Sequence, residues 1–470
     1  MSAYARTTFY LSVWFVLAAL PALLPAAERA AIAVPAQWQE PPAVAGPLET
    51  TTLAQWWERF NDPVLNQLVA DALAHSPDIR AALSKIASAR ATKNSERSGL
   101  FPSLNANASG SGTRTDARAT DITTTSESYG ASLDASWEID LFGKQRLALS
   151  AAAADLAQTT EDFRAAQVAL AAEVATTYVT LRSSQTQFAA VESSVAAQSE
   201  TTQIARWREQ AGLASSLDAQ QAVATLEQAR ASLPSLRQTL SETRHQLATL
   251  CGRTPGELDA LLAPTQALPS VPADIAVGIP AETLRQRPDI RAAERGVEAA
   301  VARTKAAKRE RLPTLSLTGS LGVESLKAGD IFSPDRTIAK LVGGLTAPIF
   351  AAGRIKAAIE IKTEAERQAL IAYESAVLTA LAEVENAQSS VARSGERLAA
   401  LTRADSAARE AATLAAHRYA AGDADMLVLL DAQRTVLSLD QQQVSAAAAQ
   451  LTAHIQLYKS LGGGWSSTSL

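Results

Sequence analysis

The chain has one cysteine, Cys251, in 470 residues. That count excludes a disulfide within the chain and a cysteine-ligated metal cluster, and a lone apolar thiol in a helical stretch reads as a core residue. Histidine is almost as scarce: His75, His245, His417 and His454 lie far apart with no ligand spacing. There is no phosphate-binding loop, no nucleophile elbow and no cysteine–histidine pairing, so neither catalysis nor a bound cofactor is expected. Positive charge is not in excess, since the formal net charge is −5 and no basic block occurs. Nucleic acid is therefore not an expected partner. After Leu24 no apolar run approaches the roughly 20 residues of a spanning helix.

What is present begins with an export pattern. Arg6 precedes an apolar stretch from Phe9 to Leu24, and Pro25-Ala26-Ala27 offers small residues ahead of Glu28. This predicts a signal peptide over residues 1–27, cleaved after Ala27, and a mature chain beyond the inner membrane. Residues 28–52, rich in Pro and Ala, read as an extended lead-in.

From there the chain repeats itself. Pro77-Asp78-Ile79 returns as Pro288-Asp289-Ile290, 211 residues later, and Pro102 returns as Pro313. Arg208 and Gly212 return as Arg418 and Gly422, at an offset of 210. Leu217-Asp218-Ala219-Gln220 returns as Leu430-Asp431-Ala432-Gln433, at 213. Solenoid repeats run to roughly 20–50 residues, so the period points instead to two copies of one large unit. The expected organisation is a first copy over 53–262, a linker over 263–279, a second copy over 280–465 and a tail over 466–470.

Each copy runs helix, hairpin, long helix, turn, returning helix. In the first, Leu65, Leu68, Val69 and Leu73 share one helical face before a break near Pro77. A hairpin is expected over 103–141, with the polar stretch 110–126 as its loop. Tyr129, Ala131, Leu133, Ala135, Trp137, Ile139 and Leu141 alternate with polar residues, giving one apolar and one polar face. The second hairpin is expected over 314–350, its clearest strand carrying Leu315, Leu317, Leu321 and Val323. Long helices are expected over 144–211 and 354–421, each about 100 Å at 1.5 Å per residue. Val174, Leu181, Phe188 and Val195 recur every seven residues in the first, and Leu370, Val377, Val384, Val391 and Leu398 in the second. That spacing keeps one seam against a partner helix. Gly212 and Gly422 end the long helices, and returning helices are expected over 215–251 and 427–461.

The strands are about as long as a bilayer-crossing β-strand requires, and in lipid a sheet must close on itself. Four strands enclose nothing, because a barrel needs about eight or more. Two, three or four copies of the chain would supply eight, twelve or sixteen strands by that same closure argument.

Several stretches together carry a resemblance. They are Trp56-Trp57-x-x-Phe60-x-Asp62, Trp137-Glu138-Ile139-Asp140-Leu141-Phe142-Gly143 and Arg287-Pro288-Asp289-Ile290-x-Ala292-Ala293-Glu294. Pro348-Ile349-Phe350, Leu430-Asp431-Ala432-Gln433-Arg434 and Leu461-Gly462-Gly463-Gly464-Trp465 follow in order. With them the chain resembles the outer-membrane factor family of TolC and OprM (NodT-type efflux channels) over nearly its whole mature length. The resemblance implies a mixed α and β membrane protein, a homotrimer whose twelve-stranded barrel continues into a periplasmic α-helical barrel. It also implies a passive exit duct in the outer membrane of a Gram-negative cell, serving a periplasmic adaptor protein and an inner-membrane pump of the RND type. Many OprM-type members are acylated on an N-terminal cysteine; none precedes Cys251 here, so an unlipidated mature chain is expected.

Within that frame the two turns after the long helices mark the periplasmic mouth. Asp423 or Asp425 is the candidate for an anionic ring, with Arg418 and Tyr419 as latch partners. The alternative is a solvated polar turn. Arg208, Gly212 and Gly422 mark candidate adaptor-docking turns, and the glycines also serve as plain helix caps. Leu-Asp-Ala-Gln in both copies reads as helix-start chemistry, with Asp near the positive end of the dipole. A type I secretion duct and a periplasmic coiled-coil scaffold are the competing readings, the hairpins speaking against the scaffold.

Overall fold

The computed structural model describes residues 35, 37–39, 44–45, 53–117, 122–272, 276–277, 284–330 and 336–465. The export-signal reading of 1–27 and the tail 466–470 lie outside them. Among the described residues seven main helices and four main strands follow in order, besides a four-residue helix over Asp259–Leu262. They are α1 Pro63–His75, α2 Pro77–Ser98, β1 Ser103–Ala117, β2 Ile122–Ile139, α3 Lys144–Gln210 and α4 Ser216–Leu250. Then come α5 Pro288–Arg309, β3 Thr314–Ser325, β4 Arg336–Thr346, α6 Arg354–Ala421 and α7 Met426–Ser460.

The strands form one antiparallel sheet in the order β1-β2-β3-β4, with β1 and β4 as free edges. Register puts Leu104, Ala135, Gly319 and Leu341 on one face, and Ala106, Leu133, Leu321 and Ala339 beside them. On the opposite face Asn105, Asp134, Ser320 and Lys340 line up. The large side chains of the apolar face are open in the single chain, Leu341 being 75% exposed. The band from Tyr129 to Ile139 spans ten steps, about 34 Å at about 3.4 Å each, which a tilt of about 45° reduces to about 24 Å. That matches the apolar band of an outer-membrane barrel, about 25 Å tall.

One expectation is corrected here. The polar stretch 110–126 is strand over most of its length, pairing Gly110 with Tyr129 and continuing to Ala117 with Ile122. Alternation is hidden there because Thr, Ser, Asp and Arg occupy both faces of the stretch. Between Leu53 and Pro77 a short 3-10 turn over Trp56–Phe60 precedes α1. The break before Pro77 is at Ser76, whose hydroxyl accepts from the Asp78 amide.

The core lies where the short helices meet the middle of the long ones. Trp56, Trp57 and Phe60 are buried, and Trp56 stacks on Tyr458 with ring centroids 5.4 Å apart. Val174 and Leu181 of α3 and Val384 of α6, all seam positions, are buried in the same cluster. Asp62 caps α1 by accepting from the Val64 and Leu65 amides, and also accepts from the Tyr178 hydroxyl at 2.7 Å. The fully buried Arg182 donates to the Tyr178 oxygen (2.9 Å), Gln185 Oε1 (2.8 Å), Pro264 O (2.7 Å) and Gln266 Oε1 (3.1 Å). A buried guanidinium is tolerated only with its donors satisfied in this way. Burial first, and then the bond to Asp62, push the Tyr178 phenol upward.

The other shared stretches close the same region. Arg287 donates to Asp289, Glu383 and the Ser460 carbonyl. At Gly463 an added Cβ would sit 2.8 Å from the Leu53 carbonyl oxygen, so only glycine allows this approach. Trp465 lies under two guanidinium groups, Arg164 at 4.7 Å and Arg291 at 5.3 Å. The lead-in returns to the protein, with Val44–Ala45 pairing parallel to Ala276–Val277.

Candidate functional site

Both long helices end in the same hydrogen-bond pattern. Leu213 N donates to Arg208 O and Gly212 N to Glu209 O; Asp423 N donates to Arg418 O and Gly422 N to Tyr419 O. This paired arrangement needs a left-handed residue just past the helix end, and Gly212 (φ 71°) and Gly422 (φ 83°) supply it. Nothing lies within 4 Å of a Cβ added at either glycine, so both turns face open space.

After the turns the two halves diverge. Ser215 caps α4 in a reciprocal box with Asp218. Asp425 holds the matching place before α7, with nearly the same backbone angles, but its side chain makes no capping bond. Asp423 and Asp425 are both exposed, and among the described residues neither carboxylate is in an ion pair. Helix-start chemistry thus holds for Asp218, the third residue of α4. It does not hold for Asp431, the sixth residue of α7, because the 213 offset moves it past the first turn. The second copy of that stretch does other work. Gln433 donates to Thr201 Oγ1 at 3.0 Å and Arg434 to Thr225 Oγ1 at 2.7 Å, tying α7 to α3 and α4.

The structure brings together two residues that the sequence assigned to different roles. The Arg208 guanidinium lies 4.8 Å from the Tyr419 ring centroid and donates to the Tyr419 carbonyl at 3.4 Å. Arg418 reaches the main-chain carbonyl of Asp423 (3.2 Å) rather than its carboxylate. Beneath the turns Ala205, Ala222, Ala415, Met426, Leu429 and Leu430 form a small core of their own. Between α3 and α6 opens a groove of about 380 Å³, lined by Ile204, Arg208, Tyr419, Leu429 and Gln433 among others.

Sequence reasoning missed the apolar side chains around the turns. Trp207, Leu213, Leu217, Leu414, Leu427 and Val428 are all at least half exposed. Helical periodicity could have singled out Leu217, which falls outside any buried seam. Among the described residues no group of His, Cys, Asp or Glu is arranged to hold a metal ion. No helix among them is long and apolar enough to cross a membrane.

Comparison with known proteins gives a consistent result. A family model described as outer membrane efflux protein matches residues 68–253 and 279–463. The probable efflux pump outer membrane protein TtgC of Pseudomonas putida is 32% identical over 460 residues, 94% of this chain and 92% of that protein. The solvent efflux pump outer membrane protein SrpC of Pseudomonas putida is 32% identical over 453 residues, 94% and 95% of the two chains. Among solved structures, the outer-membrane channel OprN superposes with a TM-score of 0.82 at 34% identity, covering 92% of this chain and 99% of that one. The open state of the Neisseria gonorrhoeae MtrE channel gives a TM-score of 0.80 at 28% identity, covering 95% and 99%.

Proposed function

The chain belongs to the outer membrane efflux protein family, and from that premise we propose that three copies assemble into one continuous duct. The protein is an outer-membrane exit duct of an efflux system, with its helices extending into the periplasm. Family and fold are those of channels. The observation that carries closure between copies is the four-stranded sheet with two free edges and an exposed apolar face, and likeness to the outer-membrane factors favours three copies. In lipid such edges must be paired, and twelve strands from three chains pair all of them. The mass of the detergent-purified protein tests this: a monomer or dimer that still conducts would overturn it.

The two halves, 53–262 and 280–465, are read as duplicated units, each giving two strands, one full-length helix and one mouth-facing turn. A periplasmic adaptor and an inner-membrane pump of the RND type complete the system, and the cargo is drugs, toxic compounds or metals. Asp423 or Asp425 forms an anionic ring at the mouth; support comes from their exposure and unpaired state. Unchanged conductance and cation preference in both Asp423→Ala and Asp425→Ala would remove the ring. Arg208, Gly212 and Gly422 belong to the adaptor-docking turns, where the exposed apolar side chains offer a contact surface. Bulky replacement of either glycine should stop efflux with assembly intact, and normal efflux would exclude docking there.

A further inference from the structure

We propose that the exposed cations where strands meet helices bind the headgroups of anionic phospholipids in the periplasmic leaflet of the outer membrane. The inference rests on the barrel reading above. The apolar band of the sheet ends in register at Ile139, Leu315 and Leu345. Just there Trp137 Nε1 donates to the Leu100 carbonyl at 3.1 Å, the wet-end, dry-end arrangement of an interfacial tryptophan. Immediately beyond the strands, Phe101, Phe142, Ile349 and Phe350 are exposed, Phe350 at 88%.

Positive charge gathers on the same few residues. Arg97 ends α2, Lys308, Arg309 and Arg311 end and follow α5, and Arg354 opens α6; all are exposed. None of these five has a carboxylate partner among the described residues. The nearby Asp140 is already engaged by Arg146. Neither α3 nor α6 has an acidic residue in its first turn, although the helix dipole favours one there. The dipole accounts for Arg97, Lys308 and Arg309 at helix C-termini, but it disfavours Arg354 in a first turn and says nothing for Arg311 beyond α5; a sheet of phosphates accounts for all five.

The other end of the band lacks this excess. Arg114 pairs with Asp116, and Arg336 stands opposite Glu324 in register. The chain as a whole is negative, at −5. A local basic collar beside exposed aromatic rings therefore complements anionic headgroups with acyl chains beside them. The rings favour a lipid over free phosphate, which offers them nothing to insert into.

The test uses full-length protein purified in detergent and equilibrated with equal amounts of phosphatidylglycerol and phosphatidylcholine of matched acyl chains. Native mass spectrometry then reads the lipids retained. The unsubstituted protein should prefer phosphatidylglycerol, and the preference should weaken at high salt. A cation near an anionic surface is worth about a fivefold change in partitioning, so R309Q/R311Q/R354Q should lose up to about a hundredfold of the preference. R309K/R311K/R354K and Arg336→Gln should keep it. Equal retention of the two lipids by the unsubstituted protein, or an unchanged preference in the glutamine variant, would overturn the proposal. Conductance in planar bilayers separates this from the barrel reading: the glutamine variant should conduct normally, whereas an unsubstituted protein that forms no pore would sink both.

Discussion

Removing the ring of Tyr419 should loosen the periplasmic mouth. The ring is the platform for Arg208, whose guanidinium carbon sits 4.8 Å from its centroid. Both side chains are half-buried, so the contact is worth about 0.5–1 kcal/mol. The accompanying hydrogen bond to the Tyr419 carbonyl is long, at 3.4 Å, and adds little. It also survives Tyr419→Ala, because the acceptor is main chain. In a trimer that opens as a unit the three contacts sum to about 1.5–3 kcal/mol, a shift of about 10- to 150-fold in the closed–open ratio. Open probability of single channels in planar bilayers reads this directly. Tyr419→Ala and Arg208→Ala should each raise it, and the double variant should go no further than Arg208→Ala. Wild-type gating in both single variants, or a double variant equal to the sum of the two, would refute the latch.

Other consequences can be checked on the same protein. Arg182→Met should cost about 3–5 kcal/mol, because Tyr178, Gln185 and the Pro264 carbonyl lose a buried partner; a thermal midpoint unchanged from wild type would contradict the packing described. Two glycines should behave oppositely in the same melt. Gly463→Ala forces a Cβ to 2.8 Å from the Leu53 oxygen and should destabilise by about 1–3 kcal/mol. Gly395→Ala, mid-helix with its nearest neighbour at 3.5 Å, should stabilise by about 0.5–1 kcal/mol. Burial holds the His454 imidazole below its ordinary value of 6.5, against the opposing bond from Nδ1 to the Gln450 carbonyl. The unfolded chain then takes up a proton first as pH falls, so stability should decline from about pH 6.5 downward and be unaffected above it. His454→Gln should flatten that part of the stability–pH curve, and an identical slope in the variant would exclude His454 as its source.

The elements with strong periodicity were legible one residue at a time. Tyr129 to Ile139 alternates because, in the proposed barrel, one side meets lipid and the other water. Leu370 to Leu398 repeats every seven residues because one seam meets a neighbouring helix. Strand beyond Gly110 escaped detection for the complementary reason, since with water on both faces nothing enforces alternation. The shared stretches were legible as words without a grammar. Trp56-Trp57-x-x-Phe60-x-Asp62 could be matched, but that Asp62 both caps α1 and receives Tyr178 is a fact of packing.

At the mouth the division is sharper. Arg208 and Tyr419 are 211 residues apart, and no local pattern announces that they touch. Asp431 reads like Asp218, yet a three-residue slip carries it out of the first helical turn. Sequence alone determined the long helices, the glycine turns and the two-faced strands, because each is enforced by neighbours in the chain or by the solvent on each face. Tertiary structure decided which cations are buried, which are paired and which stand free. Those outcomes depend on contacts between segments hundreds of residues apart, and no local pattern encodes them.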